Sequence, residues 1–495
     1  MDKCKNTESV VPFLSEDVKN DDDKDSWKHF LRQLIISSGI WTMFFMCGLC
    51  TGSPTVFIPQ IRREANSSDV ISKEMISWLS CAHTYSGACF VPILATLTGL
   101  IGRKYSNLFI GIISLIGFIV FSCSTNATHL LISEIIQGSI VAALVTSAIL
   151  IVTEYTSPSY RGLFLTIKSA SFFWGLWVAN TIGTFTHWKY IGILGGSCAI
   201  YTTLVSLYMP ESPYWLANKE RFNDCTSSLY WIRGSNDESK RELLNLLKAR
   251  SNAETDTRSF LSKIVEFKHA ILSKTFYKPL LLSMLIITLN NFSGKYGFSV
   301  FAIDIIKNIT NSESAAYSGM LILDGFTVFS TYVGSGLSKV IKRRTLFVAS
   351  TLVAVLFLFI ISIYLYLKSI TVIVENKYVS IILLIGYSVA LAVGPLILST
   401  SLTAELIPVT HRTSFTLLMG IFTNLVFGTL IKVAPLLFGL LGDHGAFLFY
   451  GVSMTVCLIP IYAYLPETKD KTLMEIEECL KGTLALNETK SMNKI

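Results

Sequence analysis

Long apolar runs, each close to 20 residues, alternate with short polar connections along most of this chain. A helix of about 20 apolar residues is long enough to span the hydrocarbon core of a bilayer. The runs do not show the alternation of apolar and polar positions typical of a membrane β-barrel. The pattern therefore predicts an all-α membrane protein with twelve transmembrane helices, over residues 33–53, 76–98, 106–124, 129–152, 163–185, 190–208, 279–305, 315–337, 345–366, 379–402, 414–439 and 445–465.

One polar connection is much longer than the others and divides the predicted helices into six plus six. Its segment RELLNLLKAR, residues 241–250, has apolar positions at helical spacing, which predicts short helices in this linker. The predicted organisation is a cytoplasmic tail, a six-helix bundle, a cytoplasmic linker, a second six-helix bundle and a cytoplasmic tail, over residues 1–32, 33–208, 209–278, 279–465 and 466–495.

Composition and charge support a membrane protein and predict its orientation. Only 15% of the residues are charged, against about 25% in soluble domains. Of the 41 Lys and Arg residues, 31 lie in the two tails, the linker and the connections on the same side. Cytoplasmic loops are enriched in Lys and Arg, so both termini are predicted to be cytoplasmic. The sequons at Asn66, Asn126 and Asn308 then face outside and are candidate glycosylation sites, which favours the plasma membrane.

The sequence gives no sign of catalytic chemistry. It contains no nucleotide-binding loop, metal-ligand cluster or nucleophile triad. Cys47 and Cys50 lie in the middle of an apolar run, where packing is the expected role of a thiol. We therefore expect no enzymatic activity, no cofactor, no metal site and no nucleic-acid partner. The expected partners are the lipid bilayer and a small-molecule substrate, and nothing implies an oligomer.

Three motifs recur at corresponding places in the two halves. Arg103 and Arg343 follow the second and eighth predicted spans, and Glu211 and Glu467 follow the sixth and twelfth. A Glu closes the fourth and tenth spans, each with an Arg seven residues later. The motif pairs are separated by 240, 251 and 256 residues. This predicts a duplicated six-helix unit with both halves in the same orientation, and such parallel repeats place a substrate site between the halves near the midplane.

These recurring charges suggest a gating latch on the cytoplasmic side. Acids at helix ends can pair with the basic residues after neighbouring spans, and a set of such pairs can bias a near-balanced equilibrium between two conformations. The alternative is that they only anchor the helix ends at the cytoplasmic surface. The candidate latch residues are Arg103, Glu154, Arg161, Glu211, Arg343, Glu405, Arg412 and Glu467.

The stretch LNNFSGKYGF, residues 289–298, interrupts the seventh predicted span with polar side chains and two glycines. Amides both donate and accept hydrogen bonds, so adjacent amides can bind a polar ligand. Glycine permits a helix break, which is tolerated at membrane depth where the backbone lines a cavity. The stretch is therefore compatible with a helix break at a polar binding site. The alternative is that its amides and serine hold neighbouring helices together.

Several motifs resemble the sugar porter family of the major facilitator superfamily along nearly the whole chain. PESPYWL (210–216) and PETKDKTLMEIE (466–477) are similar to the family's PESPRWL and PETKGKTLEEIE, and SLYWIRG (228–234) is similar to SLxWLRG. GSPTVFIPQI in the first span, and Lys432 followed by Pro435, look closest to the insect branch of facilitated trehalose and hexose transporters. The resemblance implies the major facilitator fold and alternating access.

The same resemblance implies a set of substrate-binding positions. LNNFSGKY occupies the place of the family's QQxSGxN, whose polar groups bind sugar hydroxyls, and Asn424 matches a pocket asparagine. Ser169, Tyr296 and Thr400 depart from the family pattern, since they stand at a glutamine, an asparagine and a tryptophan. The candidate binding residues are Asn290, Asn291, Asn424, Ser169, Ser293, Tyr296 and Thr400.

Two intramembrane charges fall outside the family pattern. Lys295 and Asp324 each lie about ten residues below the outer end of their helix, which is roughly 13–15 Å deep. Each charge needs a partner at that depth. We expect a Lys295–Asp324 ion pair, and the alternatives are a Lys295 that faces the lumen and admits an anionic substrate, or one that snorkels outward. Glu134 replaces a family arginine and is expected near Arg103 or Arg161, and His83 faces either a cavity or a neighbouring helix.

The preferred function is facilitated transport of a sugar such as trehalose or a hexose. Proton-coupled members of the family carry an aspartate in the first span, where this chain has Cys50. A buried carboxylate is what allows a porter to carry a proton. A uniporter is therefore favoured. The alternatives are a porter of a different polar or anionic solute and a sensor on the same scaffold that does not transport.

Overall fold

A computed structural model describes residues 26–65, 71–252, 273–373, 376–407 and 412–469. Over these ranges the regular secondary structure is entirely helical. The helices, in chain order, are α1 Ser26–Glu64, α2 Lys73–Ile101, α3 Arg103–Cys123, α4 Ala127–Val145, α5 Ser147–Tyr155, α6 Pro158–Phe185, α7 Lys189–Tyr208, α8 Pro213–Asn218, α9 Phe222–Arg233, α10 Asp237–Asn252, α11 Lys274–Asn291, α12 Lys295–Val300, α13 Ala302–Thr310, α14 Glu313–Val340, α15 Arg343–Ser369, α16 Lys377–Val393, α17 Pro395–Glu405 and α18 Arg412–Tyr464.

Nine helical stretches in the described ranges are long and apolar enough to cross a membrane. They account for ten of the twelve predicted spans, because α18 contains the last two with a kink at Gly442. The other two predicted spans correspond to α6, which carries polar side chains such as Lys168 and Asn180, and to the broken series α11–α13.

Helix breaks occur at corresponding places in the two halves. The fourth predicted span is divided at Thr146 into α4 and α5, and the tenth is divided at Gly394 into α16 and α17. Pro395 explains the second break, because proline lacks the N–H that continues the helical hydrogen-bond pattern. The seventh span breaks between Asn291 and Lys295, and Gly294 adopts the left-handed conformation there with φ 77°.

The helices form two packed groups that meet along two seams. In the first group α1 packs on α6, α2 on α4 and α3 on α7, and in the second α11 and α15 pack on α18 and α14 on α16. Between the groups, α2 packs against α18 and α6 packs against α14. The two seams pair the second span with the eleventh and the fifth with the eighth, as a duplicated unit related by a pseudo-twofold axis requires.

The short helices α8–α10 form a separate layer at the end of the first group. Leu216, Cys225, Leu229 and Leu243 make a small buried cluster there, and burial raises the pKa of the Cys225 thiol to about 11. Arg233 ties the layer to the first group, because its guanidinium donates to the Thr156 carbonyl at 3.0 Å. We refer to this end of the bundles as the predicted inner end, and to the end that carries Glu64 and Glu313 as the predicted outer end.

Candidate functional site

The break in the seventh span leaves backbone N–H and C=O groups without helical partners, and nearby side chains form hydrogen bonds with them. Ser293 Oγ donates to the carbonyl of Asn290 at 2.7 Å and accepts from the backbone N–H of Lys295 at 3.3 Å. Tyr387 Oη donates to the Ser293 carbonyl at 2.5 Å. A Cβ atom at Gly294 would lie 2.6 Å from the ring of Tyr450, so this position has room only for glycine. Packing against α16 and α18 thus holds the irregular backbone at membrane depth.

The two adjacent amides at the break have different surroundings. Asn291 Nδ2 donates to the Ile287 carbonyl in its own helix at 2.9 Å. Asn290 is buried, yet its Oδ1 has no hydrogen-bond partner among the described residues, although the Tyr296 phenol is close to its side chain. A buried amide oxygen without a partner has lost the hydrogen bonds it makes in water. Asn290 is therefore the amide with unused capacity to accept a hydrogen bond.

Tyr296 lies between the two halves of the molecule. Its ring packs edge-on against Phe172 of α6, with the centroids 6.2 Å apart, and against Phe427 of α18, with the centroids 4.8 Å apart. Phe172 lies three residues after Ser169, and Phe427 lies three residues after Asn424. The helical spacing of the aromatic partners thus brings the candidate binding residues of α6 and α18 to the side of Tyr296. The polar positions alone did not indicate Phe172 or Phe427.

Asn424 lies over a glycine contact between α2 and α4. Its Nδ2 donates to the Gly420 carbonyl at 2.9 Å, and its Oδ1 would lie 3.4 Å from a Cβ atom at Gly87. Gly87 itself approaches Gly138 of α4 closely, because a Cβ at Gly138 would be 2.7 Å from the Gly87 nitrogen. Asn424 therefore reaches from the second group to the backbone of the first.

Ser169 and Thr400 hydrogen-bond within their own helices. Ser169 Oγ donates to the Leu165 carbonyl at 3.4 Å, and Thr400 Oγ1 donates to the Ile397 carbonyl at 3.3 Å. Within the described ranges no hydrogen bond or ring contact joins Thr400 to the other candidate binding residues. The structure thus gathers Asn290 and Tyr296, with Asn424 and Ser169 on the adjoining faces, and leaves Thr400 apart.

Lys295 and Asp324 lie together in the interior. Lys295 Nζ is 4.0 Å from Asp324 Oδ1, and both side chains are buried. The ammonium also donates to Thr327 Oγ1 at 3.1 Å and to Ser388 Oγ at 2.7 Å. The other oxygen of Asp324 accepts a hydrogen bond of 2.6 Å from Asn180 Nδ2 on α6. The ammonium is thus directed at groups of the second half rather than at the lumen, and Asn180 extends the cluster across the seam.

Glu134 does not lie beside Arg103, contrary to the expectation from sequence. Its Oε2 is 3.0 Å from His83 Nδ1, and both side chains are fully buried between α2 and α4. Arg103 instead binds Glu154. The physical reason is depth, because Glu134 lies two turns from the predicted outer start of α4, whereas Arg103 begins α3 at the predicted inner end. Lys168, also buried, places its ammonium 5.0 Å from the ring centroid of Phe44.

The first candidate latch lies within the first half. Arg103 binds Glu154 through two hydrogen bonds, Nε to Oε2 at 3.0 Å and Nη2 to Oε1 at 2.9 Å. Glu211 accepts from the backbone N–H groups of Arg103, at 2.7 Å, and Lys104. Burial raises the pKa of the Glu211 carboxyl, against the opposing effect of these N–H donors. Ser212 completes the cluster by donating to Glu154 at 2.5 Å.

The second half repeats this arrangement. Arg343 binds Glu405, and Glu467 accepts from the backbone N–H groups of Arg343, at 3.1 Å, and Arg344, at 3.3 Å. In both halves the acid after the last helix therefore caps the helix that begins at the latch arginine, where the helix dipole favours a negative charge. The side chains of Arg161 and Arg412 lie outside the described part of the molecule.

At the predicted outer end, ionic contacts cross between the halves. Arg63 of α1 binds Glu313 of α14, and its guanidinium lies 5.2 Å from the ring centroid of Tyr317. Arg62 Nη1 is 3.9 Å from Asp304 Oδ2. The hydrogen bond and charge of Arg63 lower the pKa of the Glu313 carboxyl. Buried below these contacts, Thr55 Oγ1 donates to the Ser299 carbonyl at 3.0 Å.

The candidate glycosylation sites have different surroundings. Asn126 is exposed and caps α4, because its Oδ1 accepts from the His129 N–H at 2.8 Å. Asn308 is exposed on α13. Asn66 lies outside the described residues. A glycan on the Asn126 nitrogen would leave its capping oxygen free, so modification and capping are compatible there.

A family model described as "Sugar (and other) transporter" matches residues 21–480 of this chain. Among named relatives, the facilitated trehalose transporter Tret1 of Apis mellifera ligustica is 21% identical over 480 residues, which are 97% of this chain and 93% of that protein. The Tret1 protein of Drosophila yakuba is 24% identical over 427 residues, 84% of this chain but 48% of that protein. The chain thus spans about half the length of several of the Drosophila relatives it matches.

Solved structures of major facilitator proteins share the fold. The proton:xylose symporter XylE bound to 6-bromo-6-deoxy-D-glucose matches with a TM-score of 0.71 at 15% identity, covering 92% of this chain and all of that one. The inward-open conformation of XylE from E. coli matches with a TM-score of 0.70 at 14% identity, covering 91% of this chain and 99% of that one. The predicted twelve-helix major facilitator fold is therefore confirmed.

Proposed function

Because the chain belongs to the sugar (and other) transporter family, we propose that it moves a sugar such as trehalose or a hexose across the membrane by facilitated diffusion. The names of the insect relatives, facilitated trehalose transporters, support this class of substrate. We further propose that both termini are cytoplasmic, as the distribution of basic residues predicts, and that the protein resides in the plasma membrane, as the three outer sequons favour.

The unpartnered oxygen of Asn290 beside the ring of Tyr296 supports a sugar site most strongly. An amide oxygen accepts a hydrogen bond from a sugar hydroxyl, and an aromatic ring offers an apolar surface for the C–H face of the same sugar. These groups lie where Phe172 of one half and Phe427 of the other meet Tyr296. A site made by both halves is what transport by alternating access requires.

The moving units in this mechanism are the bundles over residues 33–208 and 279–465. They meet along the seams between α2 and α18 and between α6 and α14. Separation of the bundles along these seams, at one end and then at the other, would expose Asn290 and Tyr296 first to one side and then to the other. The latch clusters of Arg103 and Arg343 stay within their own bundles in this structure, so each would move with its bundle as a unit.

Transport without a driving ion is consistent with the first span. Cys50 stands where proton-coupled relatives of the family carry an aspartate, and its Sγ donates to Gln137 Oε1 at 2.5 Å. A neutral thiol in this place does not carry a proton in the way that a buried carboxylate does.

Uptake of labelled glucose and trehalose into oocytes tests the proposal. Wild-type protein is compared with Asn290→Ala, Asn424→Ala and the control Asn223→Ala, which removes an exposed amide of α9. We expect saturable uptake of at least one sugar, a loss of about tenfold in the two site variants because each removes an amide that would bind the sugar, and no change in the control. Absence of uptake by protein shown to be at the cell surface would contradict the proposal and favour a different solute or a sensor.

A further inference from the structure

His83 and Glu134 form an isolated ionisable pair inside the first bundle. Both side chains are fully buried, and His83 Nδ1 lies 3.0 Å from Glu134 Oε2. That contact is an ion-pair distance without hydrogen-bond geometry, and none of the four polar side-chain atoms of the pair has a hydrogen bond among the described residues. The sugar site proposed above does not use this pair, and an intramembrane carboxylate without another function is costly to keep.

The groups that surround the pair do not supply a compensating charge. Cys81 on α2 and Cys50 on α1 are close enough to Glu134 to interact with it electrostatically, and Cys47 lies beside Cys50. The ammonium of Lys432 on α18 lies near Cys81 but sits 3.4 Å from the ring centroid of Trp78. Gln137, one turn along α4, accepts from Cys50 and donates to Ser133. Within the described ranges, His83 is therefore the ionisable group in direct contact with Glu134.

Burial favours a single net charge, zero, for this pair. With one proton shared between the carboxyl and the imidazole, the pair is neutral overall, either as carboxylate with imidazolium or as carboxylic acid with imidazole. Removing that proton leaves a buried carboxylate beside a neutral ring, and adding a second proton leaves a buried imidazolium beside a neutral acid. Both of these states place an uncompensated charge away from water, which is strongly unfavourable.

The pair also lies next to the seam that must open during transport. Gly87 follows His83 by one helical turn on α2, and Asn424 of α18 lies against it. Separation of α2 from α18 would admit water to this stretch of α2, whereas closure excludes it. The proton can therefore exchange in the open state, and the pair must hold one proton for the seam to close.

We propose that His83 and Glu134 form a proton-binding site whose single proton is required for the two halves to close, with or without substrate, so that the proton returns with the empty carrier and drives no sugar uptake. The effect of this proton on sugar flux depends on the sugar transport proposed above. Sugar flux then has a maximum at intermediate pH. It falls on the alkaline side when the proton is lost and on the acid side when a second proton is bound, by up to about tenfold per pH unit on each limb.

Sugar counterflow in proteoliposomes, with the same pH on both sides, tests the effect on flux over a series of pH values from acid to alkaline. Glu134→Gln removes the carboxyl that becomes anionic, so the alkaline limb should disappear while the acid limb remains. His83→Gln removes the ring that becomes cationic, so the acid limb should disappear. Glu74→Gln makes the same acid-to-amide change at an exposed position of α2 and should keep the wild-type profile. A flat wild-type profile, or an alkaline limb that persists in Glu134→Gln, would overturn the proposal.

Infrared spectroscopy of the purified full-length chain tests proton binding without any requirement for transport. We expect wild type and Glu74→Gln to share one titrating C=O component of a protonated carboxyl that the spectrum of Glu134→Gln lacks. His83→Gln should keep the band and shift its titration, which provides a second readout if Glu134→Gln folds poorly. A titrating band without counterflow would refute the sugar proposal and leave the proton site standing. Counterflow without such a band would refute the proton site and leave the sugar proposal standing.

Discussion

Asn180 and Asp324 join the two halves of the molecule through a hydrogen bond of 2.6 Å between Nδ2 and Oδ2. Asn180 is fully buried on α6, and Asp324 lies on α14. The other oxygen of Asp324 is 4.0 Å from the ammonium of Lys295. One carboxylate therefore serves both as the counter-ion of a buried cation in its own half and as the acceptor of a contact across the seam.

Removing Asp324 should destabilise the protein more than removing the whole ion pair. Asp324→Ala leaves the Lys295 ammonium buried with only the hydroxyls of Thr327 and Ser388. Loss of one partner of a buried pair costs about 3–5 kcal/mol, whereas replacing both by apolar residues is close to neutral. We expect Asp324→Ala to lower the melting temperature measured by fluorescence size-exclusion chromatography, and the double variant Lys295→Met with Asp324→Leu to recover most of it.

Lys307→Ala is the control for this comparison, because Lys307 is an exposed lysine of α13. Its removal should leave the melting temperature close to that of wild type. If the double variant is as unstable as Asp324→Ala, the pair contributes specific contacts that apolar side chains do not replace. If Asp324→Ala is as stable as wild type, the two charges are not coupled.

Gly294 should tolerate no larger side chain. Its φ of 77° disfavours any residue with a Cβ atom, and that atom would lie 2.6 Å from the ring of Tyr450. The left-handed conformation alone costs about 1–2 kcal/mol, and displacement of a packed ring adds to that. Gly294→Ala should therefore reduce the yield of monodisperse protein strongly. Gly439→Ala, where a Cβ meets nothing within 4 Å, should not.

The fold followed from the sequence because its determinants are local or periodic. Apolar runs of membrane length predicted the helices, and the recurrence of Arg103 at Arg343 and of Glu154 at Glu405 predicted the duplication. The match to the sugar transporter family confirms the family, and the likeness to solved major facilitator structures confirms the fold. Gly294 and its polar neighbours indicated where the seventh span breaks.

The side-chain partners were harder to predict, because counting residues gives depth in the membrane but not direction around a helix. Counting predicted similar depths for Lys295 and Asp324, but it did not indicate Asn180, which lies on a helix 144 residues earlier in the chain. Glu134 was expected near Arg103 or Arg161, whereas Arg103 binds Glu154 and the partner of Glu134 among the described residues is His83 on α2. The aromatic neighbours of Tyr296 also escaped prediction, since nothing in an apolar run distinguishes Phe172 or Phe427 from residues that face lipid.

Substituting Arg103 by lysine should slow transport without weakening substrate binding. Arg103 holds Glu154 through two parallel hydrogen bonds, and lysine cannot reproduce this bidentate geometry. The latch lies far from Asn290 and Tyr296, at the predicted inner end. We expect the maximal uptake rate to fall several-fold in Arg103→Lys with little change in the sugar concentration for half-maximal uptake. Lys104→Ala is the control, because Lys104 contacts Glu211 through its backbone. A change only in the sugar concentration for half-maximal uptake, with the maximal rate unaltered, would argue against a latch.

Glu313 should help to keep the predicted outer end closed. Arg63 lowers the pKa of this carboxyl in the closed structure, so the contact contributes fully above the ordinary carboxyl value of 4.5 and is lost as the pH falls below it. Both partners are about half exposed, which limits the contribution of the ion pair to about 1 kcal/mol, or about fivefold in the population of the closed state.

A cysteine introduced at Thr55, which is buried beneath this contact, reports opening through its reaction with an impermeant thiol reagent. We expect labelling to rise up to about fivefold in Glu313→Gln at neutral pH. Because acid protonates thiols and slows their reaction, labelling at each pH is divided by that of a free thiol in the same buffer. With Glu313 intact this ratio should rise similarly only in acid, and equal ratios for both proteins at neutral pH would show that the ion pair does not hold this end closed.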